Sequence, residues 1–221
     1  MQIAIDGPAG AGKSTIAKRL AKESGYIYVD TGAMYRAMAL YLIRCGISAE
    51  DKEGIEKACE DADISIQYID GEQNVVLNGE NVNSLIRTRE VSAMASSSSV
   101  NGKVREKLVS LQQKLASSND VVMDGRDIGT KVLPEAEVKI YLTASTKVRA
   151  KRRFDELRAK GEACDMEAIE NEIKERDHRD MTREISPLVQ AKDAVLVDTS
   201  DMDIDTVVDR IKEIVKSKVK A

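Results

Sequence analysis

The chain has 221 residues, 42% of them hydrophobic, which suits one sizeable globular domain with a core of its own. A formal net charge of −4 and an aromatic content of 3% argue against a nucleic-acid polymer as partner, because such binders are usually basic and often stack bases on aromatic rings. No apolar run approaches the roughly 20 residues of a membrane span, and the three widely spaced cysteines predict neither a disulfide framework nor a zinc site.

The first 44 residues alternate between strand and helix patterns. A short buried strand is predicted for 2–6, and a helix follows a glycine-rich loop at about 13–24. A second strand is predicted for 26–30 and a second helix for 31–44. This order is typical of a parallel sheet covered by helices. Because the chain enters a strand and a glycine loop at once, we expect no signal peptide and a cytoplasmic protein.

The middle of the chain has a different pattern. Residues 64–68 alternate at period two, Asp70-Gly71 predicts a turn, and the apolar run 75–77 follows. These features predict an antiparallel hairpin, and residues of about 47–88 are therefore expected to form a small insertion in the α/β chain. The segment 91–118 is mostly helical in pattern.

The α/β alternation then resumes to the end of the chain. Core strands are predicted for 121–123, 138–142 and 194–197. Between the last two lie charged helical segments at about 146–160 and 166–183. A C-terminal helix carries the apolar positions Val207, Val208, Ile211 and Val215.

A phosphate-binding loop follows the first strand. Residues 7–14, Gly-Pro-Ala-Gly-Ala-Gly-Lys-Ser, fit the pattern G-x-x-x-x-G-K-[ST] between a strand and a helix. Its glycines let backbone N–H groups turn toward a phosphate, and the helix N-terminus adds partial positive charge. Lys13 is expected to reach the β- and γ-phosphates and Ser14 to bind Mg²⁺. The loop predicts a nucleoside triphosphate but leaves the phosphate acceptor open.

Charged residues follow two other predicted strands. Asp124-Gly125-Arg126-Asp127 comes directly after one strand, and Asp30-Thr31-Gly32 with Arg36 follows another. Ligands of open parallel sheets bind beyond the carboxyl ends of the strands, so these residues are expected to line a cleft for an anionic acceptor. Asp124 is a candidate for assisting Mg²⁺.

The segment 166–183 carries charges on its apolar side. At 100° per residue, Ile173, Arg176, Asp180 and Arg183 fall within about 40° of Ile169. Inward-facing arginines need an anion, which a bound phosphate supplies. The alternative is a solvated helix laced by i,i+4 salt bridges.

If the acceptor is itself a nucleotide, no general base is required for the transfer. The phosphate of a nucleoside monophosphate has a second pKa near 6 and is already a dianion at neutral pH. The single histidine, His178, is therefore assigned no role.

Six stretches together resemble bacterial cytidylate kinases. They are IAIDGPAGAGKST, DTGAMYRA, IRTREVS, DGRDIGT, RAKRR and RDHRDMTREISPL, spread from residue 3 to residue 188. The resemblance implies a P-loop, five-stranded parallel sheet flanked by helices, with a nucleoside-monophosphate-binding insertion at about 47–88 and a short lid at about 149–165. It implies a monomer that transfers the γ-phosphate of ATP to CMP or dCMP with Mg²⁺, without a nucleic-acid or membrane partner.

The resemblance also implies a role for each matched residue. The ATP phosphates would be held by Gly7, Pro8, Ala9, Gly10, Ala11, Gly12, Lys13, Ser14 and Thr15. The acceptor phosphate would be bound by Arg36, Arg126 and Arg183, the cytosine by Ser96, Arg105 and Asp127, and the sugar by Arg176 and Asp180. Thr31, where relatives often have serine, would also line the acceptor site. Arg149, Arg152 and Arg153 would lie in the lid, and catalysis would rest on Lys13, Arg126, Arg183 and Arg153.

Three other functions are alternatives for a chain with a phosphate loop. A small GTPase also begins with a phosphate loop, but its guanine-reading N-K-x-D is absent from the sequence. A kinase of another small metabolite would differ only in the molecule that receives the phosphate. Asp127, Arg105 and the insertion would distinguish the two. A non-catalytic ATP-binding scaffold would not need inward-facing arginines.

Overall fold

The computed structural model describes residues 1–219, which contain eight helices, eight strands and one π-turn at Ile128–Val132. The helices are α1 (Lys13–Ser24), α2 (Thr31–Arg44), α3 (Lys52–Asp61), α4 (Arg89–Ser98), α5 (Gly102–Ser117), α6 (Thr146–Ala159), α7 (Met166–Thr182) and α8 (Ile204–Val219). The strands are β1 (Gln2–Asp6), β2 (Ile27–Asp30), β3 (Ile64–Ile69), β4 (Glu72–Leu77), β5 (Glu80–Asn81), β6 (Val121–Gly125), β7 (Val138–Thr143) and β8 (Val195–Asp198).

The larger sheet is parallel and has the strand order β2-β6-β1-β7-β8 among the described residues. In its centre Ile3 is level with Val122 and Val138, and all three side chains are fully buried. Strands buried on both faces read as continuous apolar runs, which is why their sequences lack alternation. The predicted α/β class with a five-stranded parallel sheet flanked by helices is confirmed.

The chain divides into two compact units. The first comprises Met1–Tyr26 together with the chain from Val121 onward, and the second comprises Ile27–Asp120. The first unit holds β1, β6, β7 and β8 with α1, α6, α7, α8 and the π-turn. The boundaries predicted from the sequence for a nucleotide-binding insertion (47–88) and a lid (149–165) stay predictions.

The second unit contains the predicted hairpin. β3 and β4 are antiparallel with Ile64 opposite Leu77, and the turn between them has positive φ at Asp70 (53°) and Gly71 (79°). Positive φ at both turn residues matches the twist of a two-residue hairpin. β5 adds a third strand by pairing with β4.

Three local features differ from the sequence prediction. α3 was not predicted, although Asp51 caps it by accepting from Gly54 N–H. The helical segment 91–118 is two helices, because Asn101 caps α5 by accepting from Lys103 and Val104 N–H. Arg183, predicted to be the last helical residue, lies just past the end of α7 in an extended conformation.

Among the described residues, no helix is long and apolar enough to cross a bilayer.

Candidate active site

The phosphate loop joins β1 to α1 in the first unit. Gly7, Gly10 and Gly12 have φ of 150°, 76° and 93°, a region that residues with a side chain rarely adopt. A Cβ on Gly7 would lie 1.9 Å from the Leu142 carbonyl oxygen, so only glycine fits where the loop leaves the sheet. The loop is thereby shaped to present backbone N–H groups at the N-terminus of α1.

Lys13, the first residue of α1, is buried and donates from Nζ to the Pro8 carbonyl oxygen at 2.8 Å. The pKa of Lys13 is lowered to about 7, chiefly by burial and next by the nearby Arg126. Arg176 also lowers it, whereas Asp124 and Asp6 raise it. A crowded, desolvated set of cations is stabilised by a bound polyanion.

Ser14 and Asp124 lie together at the mouth of the loop. Ser14 Oγ donates to Asp124 Oδ2 at 2.9 Å, and Asp124 is buried near the end of β6. Serine and carboxylate oxygens are the donors that Mg²⁺ accepts, and Mg²⁺ takes its remaining ligands from water and phosphates. A cage of three or more acidic, histidine or cysteine ligands is therefore not required, and residues 1–219 contain none. The pair fits a Mg²⁺ ion.

Asp6 is a site residue that the sequence reasoning missed. This buried carboxylate, the last residue of β1, accepts from Ile128 N–H at 2.8 Å and Gly129 N–H at 2.7 Å. It therefore holds the π-turn that directly follows Asp127. Burial raises the pKa of Asp6 to about 6, and the two backbone hydrogen bonds oppose the rise. The available signal was its position at a strand's carboxyl end, next to the glycine loop.

Between about pH 4 and pH 6.5, the wild-type protein should lose more stability than an Asp6→Asn variant. The pKa of Asp6 in the folded protein is raised from 3.8 to about 6, so the folded protein retains a proton that the unfolded chain releases. This stabilisation is complete below about pH 4 and is lost as the pH rises through 6, by on the order of 3 kcal/mol. Chemical denaturation of both proteins across this range measures the difference, and equal pH profiles would contradict it.

A buried cluster of arginines and carboxylates lies beside the phosphate loop in the same unit. Arg126 Nε donates to Asp180 Oδ2 at 2.8 Å. Arg183 lies 3.8 Å from Asp127 and 4.0 Å from Asp180, and its Nε donates to the Ser186 carbonyl oxygen at 2.6 Å. Burial alone would raise the pKa of Asp180, but the surrounding arginines hold it below its ordinary value. The cluster is a fixed set of cations suited to binding phosphate oxygens.

The inward-facing stripe of α7 is confirmed. Ile169 and Asp180 are buried, Ile173 and Arg176 are half-buried, and the Arg183 side chain is only 4% exposed although the helix has ended. A solvated face laced by salt bridges, the alternative interpretation, would leave these side chains in water. His178, for which the sequence predicts no role, is exposed.

The three arginines assigned to a lid have separate environments. Arg149 is buried against the phosphate loop. Arg152 donates to the Thr199 hydroxyl and carbonyl oxygens at 3.2 and 2.8 Å. Arg153, expected to be catalytic, is 42% exposed and pairs with Glu156 at 2.9 Å. In this conformation each of the three is held by protein groups.

In the second unit, Asp30 holds Arg36 in place. Asp30 caps α2 by accepting from Ala33 N–H at 2.9 Å, and its other oxygen pairs with Arg36 at 3.1 Å. The Gln73 side chain from β4 accepts from Asp30 N–H at 2.8 Å and donates to its carbonyl oxygen at 3.1 Å. Thr31 is buried at the start of α2. Gln73 was also missed, since nothing in its sequence neighbourhood marks it.

Two residues expected to contact the base lie on α4 and α5 of this unit. Arg105 is buried, donates to the Ser99 carbonyl oxygen at 3.1 Å, and lies over the Tyr35 ring at 5.4 Å from its centroid. Ser96 is buried on α4. The first unit thus brings together the phosphate loop, Arg126, Asp127, Arg176, Asp180 and Arg183, whereas Thr31, Arg36, Ser96 and Arg105 belong to the second.

Comparisons with known proteins identify a family. The family model described as "Cytidylate kinase" matches residues 3–217. A cytidylate kinase from Caldicellulosiruptor bescii is 51% identical over 100% of this chain and 97% of its own. One from Ligilactobacillus salivarius is 50% identical over 99% and 97%.

Solved structures support the fold alone. A shikimate kinase from Bacteroides thetaiotaomicron superposes with a TM-score of 0.52 over 98% of both chains, at 14% identity. An uncharacterized protein from Eubacterium ventriosum superposes with a TM-score of 0.55 over 98% of this chain and 99% of its own, at 15% identity.

Proposed function

The chain belongs to the cytidylate kinase family of enzymes, and on this premise we propose that it transfers the γ-phosphate of ATP directly to CMP and dCMP. The transfer is assisted by Mg²⁺ and uses no protein general base. The observation that carries the proposal is the burial of Lys13 beside Arg126 and Arg176, which lowers the lysine pKa. A polyphosphate bound in the loop would stabilise the charged lysine, and the lysine would stabilise charge that develops during transfer.

The acceptor phosphate is bound by Arg36, Arg126 and Arg183. In support, the buried Nε of Arg36 has no hydrogen-bond partner among residues 1–219, and a phosphate oxygen would supply one. Arg126 and Arg183 are already held by carboxylates and by the Ser186 carbonyl, so little ordering of side chains is needed on binding.

The cytidine of the acceptor is bound by polar side chains. Ser96, Arg105 and Asp127 contact the base, and Arg176 and Asp180 contact the sugar. The support is that Ser96, Arg105 and Asp127 are all buried, since buried polar groups of fixed geometry discriminate between hydrogen-bonding patterns.

Ser14 and Asp124 would hold Mg²⁺. Their oxygens lie 2.9 Å apart at the mouth of the phosphate loop. When bound, the ion neutralises negative charge on the phosphates of ATP. The chain's own contribution is to hold these two oxygens in place on α1 and β6.

No protein group needs to remove a proton from the acceptor. The phosphate of CMP is a dianion at neutral pH and attacks without a general base. The side chains of the cluster bring two polyanions together and neutralise the charge between them.

The insertion at 47–88 binds the monophosphate. The lid at 149–165 carries Arg153 toward the phosphates on closure, and the enzyme acts as a monomer.

The proposal is tested by measuring ADP production from ATP with CMP, dCMP, UMP, AMP and GMP in parallel. CMP and dCMP should be phosphorylated, and omission of Mg²⁺ should stop the reaction. ATP turnover with none of the five acceptors, or preference for a purine nucleotide, would contradict the proposed acceptor.

Arg183→Ala should lower kcat by about a hundredfold, because Arg183 is a buried cation proposed to bind the acceptor phosphate. Arg210 provides the matched control, since its side chain is 58% exposed and pairs with Glu213. Arg210→Ala should stay within about twofold of wild type, as surface pairs contribute little. Steady-state kinetics of both variants measure this, and equal effects would contradict a role for Arg183.

A further inference from the structure

Every N–H group of the Arg149 side chain has an acceptor. Nε donates to the Ala144 carbonyl oxygen at 2.9 Å, and Nη1 donates to the Ala9 carbonyl oxygen at 3.0 Å and to Asp177 Oδ1 at 3.1 Å. Nη2 donates to Thr146 Oγ1 at 3.2 Å and to Asp177 Oδ2 at 2.6 Å. A guanidinium has five donors, so none remains for a nucleotide. This arginine holds protein segments together in the observed conformation.

Arg149 lies in the first turn of α6 and joins this helix to two segments that are distant in sequence. Ala9 belongs to the phosphate loop, and Asp177 belongs to α7. Both members of the ion pair are shielded from water, with the Arg149 side chain 4% and the Asp177 side chain 13% exposed. A two-point pair of this kind fixes orientation as well as distance.

The phosphate loop also packs on the aliphatic part of Arg149. A Cβ added to Gly10 would lie 3.3 Å from Arg149 Cβ, closer than ordinary contact. The loop is therefore held by a hydrogen bond at Ala9 and by close packing at the next residue. Its position depends on where Arg149 is held.

α6 and α7 pack together beside this contact in the observed conformation. Ala150 and Leu157 of α6 pack with Ile169 of α7 in a small apolar cluster of their own, which Phe154 and Ile173 extend. On α7, Asp177 follows Arg176 and precedes Asp180 by three residues, and Asp180 binds Arg126. The helix that holds Arg149 thus also holds the arginine cluster.

We propose that Arg149 and Asp177 form a positioning pair that sets the phosphate loop at a fixed distance from the cluster of arginines and carboxylates to which Asp180 of α7 belongs. The proposal rests on the proposed function, in which ATP occupies the loop and the cluster meets the acceptor. In-line transfer is sensitive to placement, and a displacement of about 1 Å can cost on the order of a hundredfold in rate. The pair acts on the relative position of two groups and therefore on kcat.

Charge and position make opposite predictions for Asp177→Asn. Removing a negative charge beside a cationic site should by itself strengthen the binding of nucleotide anions and raise activity. Loss of positioning should lower kcat, because an amide presents an N–H group to a guanidinium that can only donate. The sign of the effect therefore separates the two.

Asp177→Asn should lower kcat by about 30-fold and leave KM for CMP within about threefold. The matched control is Asp155→Asn on α6, whose carboxylate forms an exposed pair with Lys151. That variant should stay within about twofold of wild type. Arg149→Lys should also lower kcat. The double variant Arg149→Lys/Asp177→Asn should have a kcat no lower than that of Arg149→Lys alone, because both changes disrupt the same ion pair.

Amide hydrogen exchange gives a readout that does not depend on the acceptor. In the free protein, residues 7–15 should exchange faster in Asp177→Asn than in wild type or Asp155→Asn. This result can be obtained even if wild type fails to phosphorylate CMP, an outcome that would refute the proposed function alone. If Asp177→Asn does not fold, Thr146→Val, which removes a different acceptor of Arg149, should lower kcat by about fivefold.

Four outcomes would contradict the proposed positioning pair. One is a kcat for Asp177→Asn equal to that of Asp155→Asn, or higher than that of wild type. Another is a loss confined to KM for CMP, which would place Asp177 directly at the acceptor. The third is additivity of the Arg149 and Asp177 variants, and the fourth is unchanged hydrogen exchange in residues 7–15.

Discussion

Replacing Lys13 by alanine should lower kcat for CMP phosphorylation by about a thousandfold and leave the protein folded. Lys13 is buried at the start of α1, with Nζ 2.8 Å from the Pro8 carbonyl oxygen, and is expected to bridge the phosphates between which charge moves. Because the alanine variant no longer buries an amino group among cations, the free protein should melt no lower than wild type. Steady-state kinetics and thermal denaturation of the same preparations measure both effects.

Lys22→Ala serves as the control for Lys13→Ala. Lys22 lies on the same helix but is exposed, and its loss should change kcat by less than about twofold. If Lys13→Ala retained near-normal turnover, Lys13 would not contact the transferring group. A marked drop in melting temperature would instead identify Lys13 as a structural residue.

CMP and dCMP should exceed UMP in kcat/KM by a factor on the order of 10⁴. The ionised carboxylate of Asp127 can accept a hydrogen bond from the cytosine amino group, whereas uracil presents a carbonyl oxygen and would set acceptor against acceptor. Asp127 is buried, and the two backbone bonds to Asp6 hold the residues that follow it. A fixed acceptor of this kind cannot turn away from the wrong base.

Asp127→Asn should narrow the preference for CMP over UMP, because an amide can direct its N–H toward a carbonyl oxygen. The change should also lower the rate of CMP phosphorylation, since Asp127 lies 3.8 Å from Arg183 in the buried cluster. Parallel kinetics with CMP and UMP measure the ratio. Equal use of the two by wild type would contradict the cytosine-reading role, and an unchanged preference in the variant would shift it to Ser96 or Arg105.

The sequence was most informative where the signal is local. The glycine spacing of residues 7–14 identifies a phosphate loop whatever surrounds it, because backbone freedom and a helix N-terminus are all that it requires. The hairpin around Asp70-Gly71 and the strands of the parallel sheet followed in the same way from turn chemistry and apolar runs. α3 was not predicted because it has few apolar positions and because aspartate, the residue type of its cap Asp51, is also common in loops.

The stripe on α7 marks the boundary between the two kinds of information. Helical periodicity alone showed that Arg176 and Asp180 share a side with Ile169, and the structure confirmed that this side faces inward. Periodicity could not identify the partners. Asp180 is bound by Arg126, 54 residues away, through the packing of α7 beside the end of β6.

Only the tertiary structure decided which polar groups are already engaged. The sequence around Arg149 resembles that of a lid arginine. In the structure, however, its guanidinium donates hydrogen bonds to the Ala9 carbonyl oxygen and the Asp177 carboxylate. Asp6 ends a strand like many others, yet two N–H groups more than 120 residues later in the chain bind its carboxylate. The physical reason is that a motif records the local backbone a ligand needs, whereas a buried charge takes its partners from whatever the sheet order and helix packing bring within 3 Å of it.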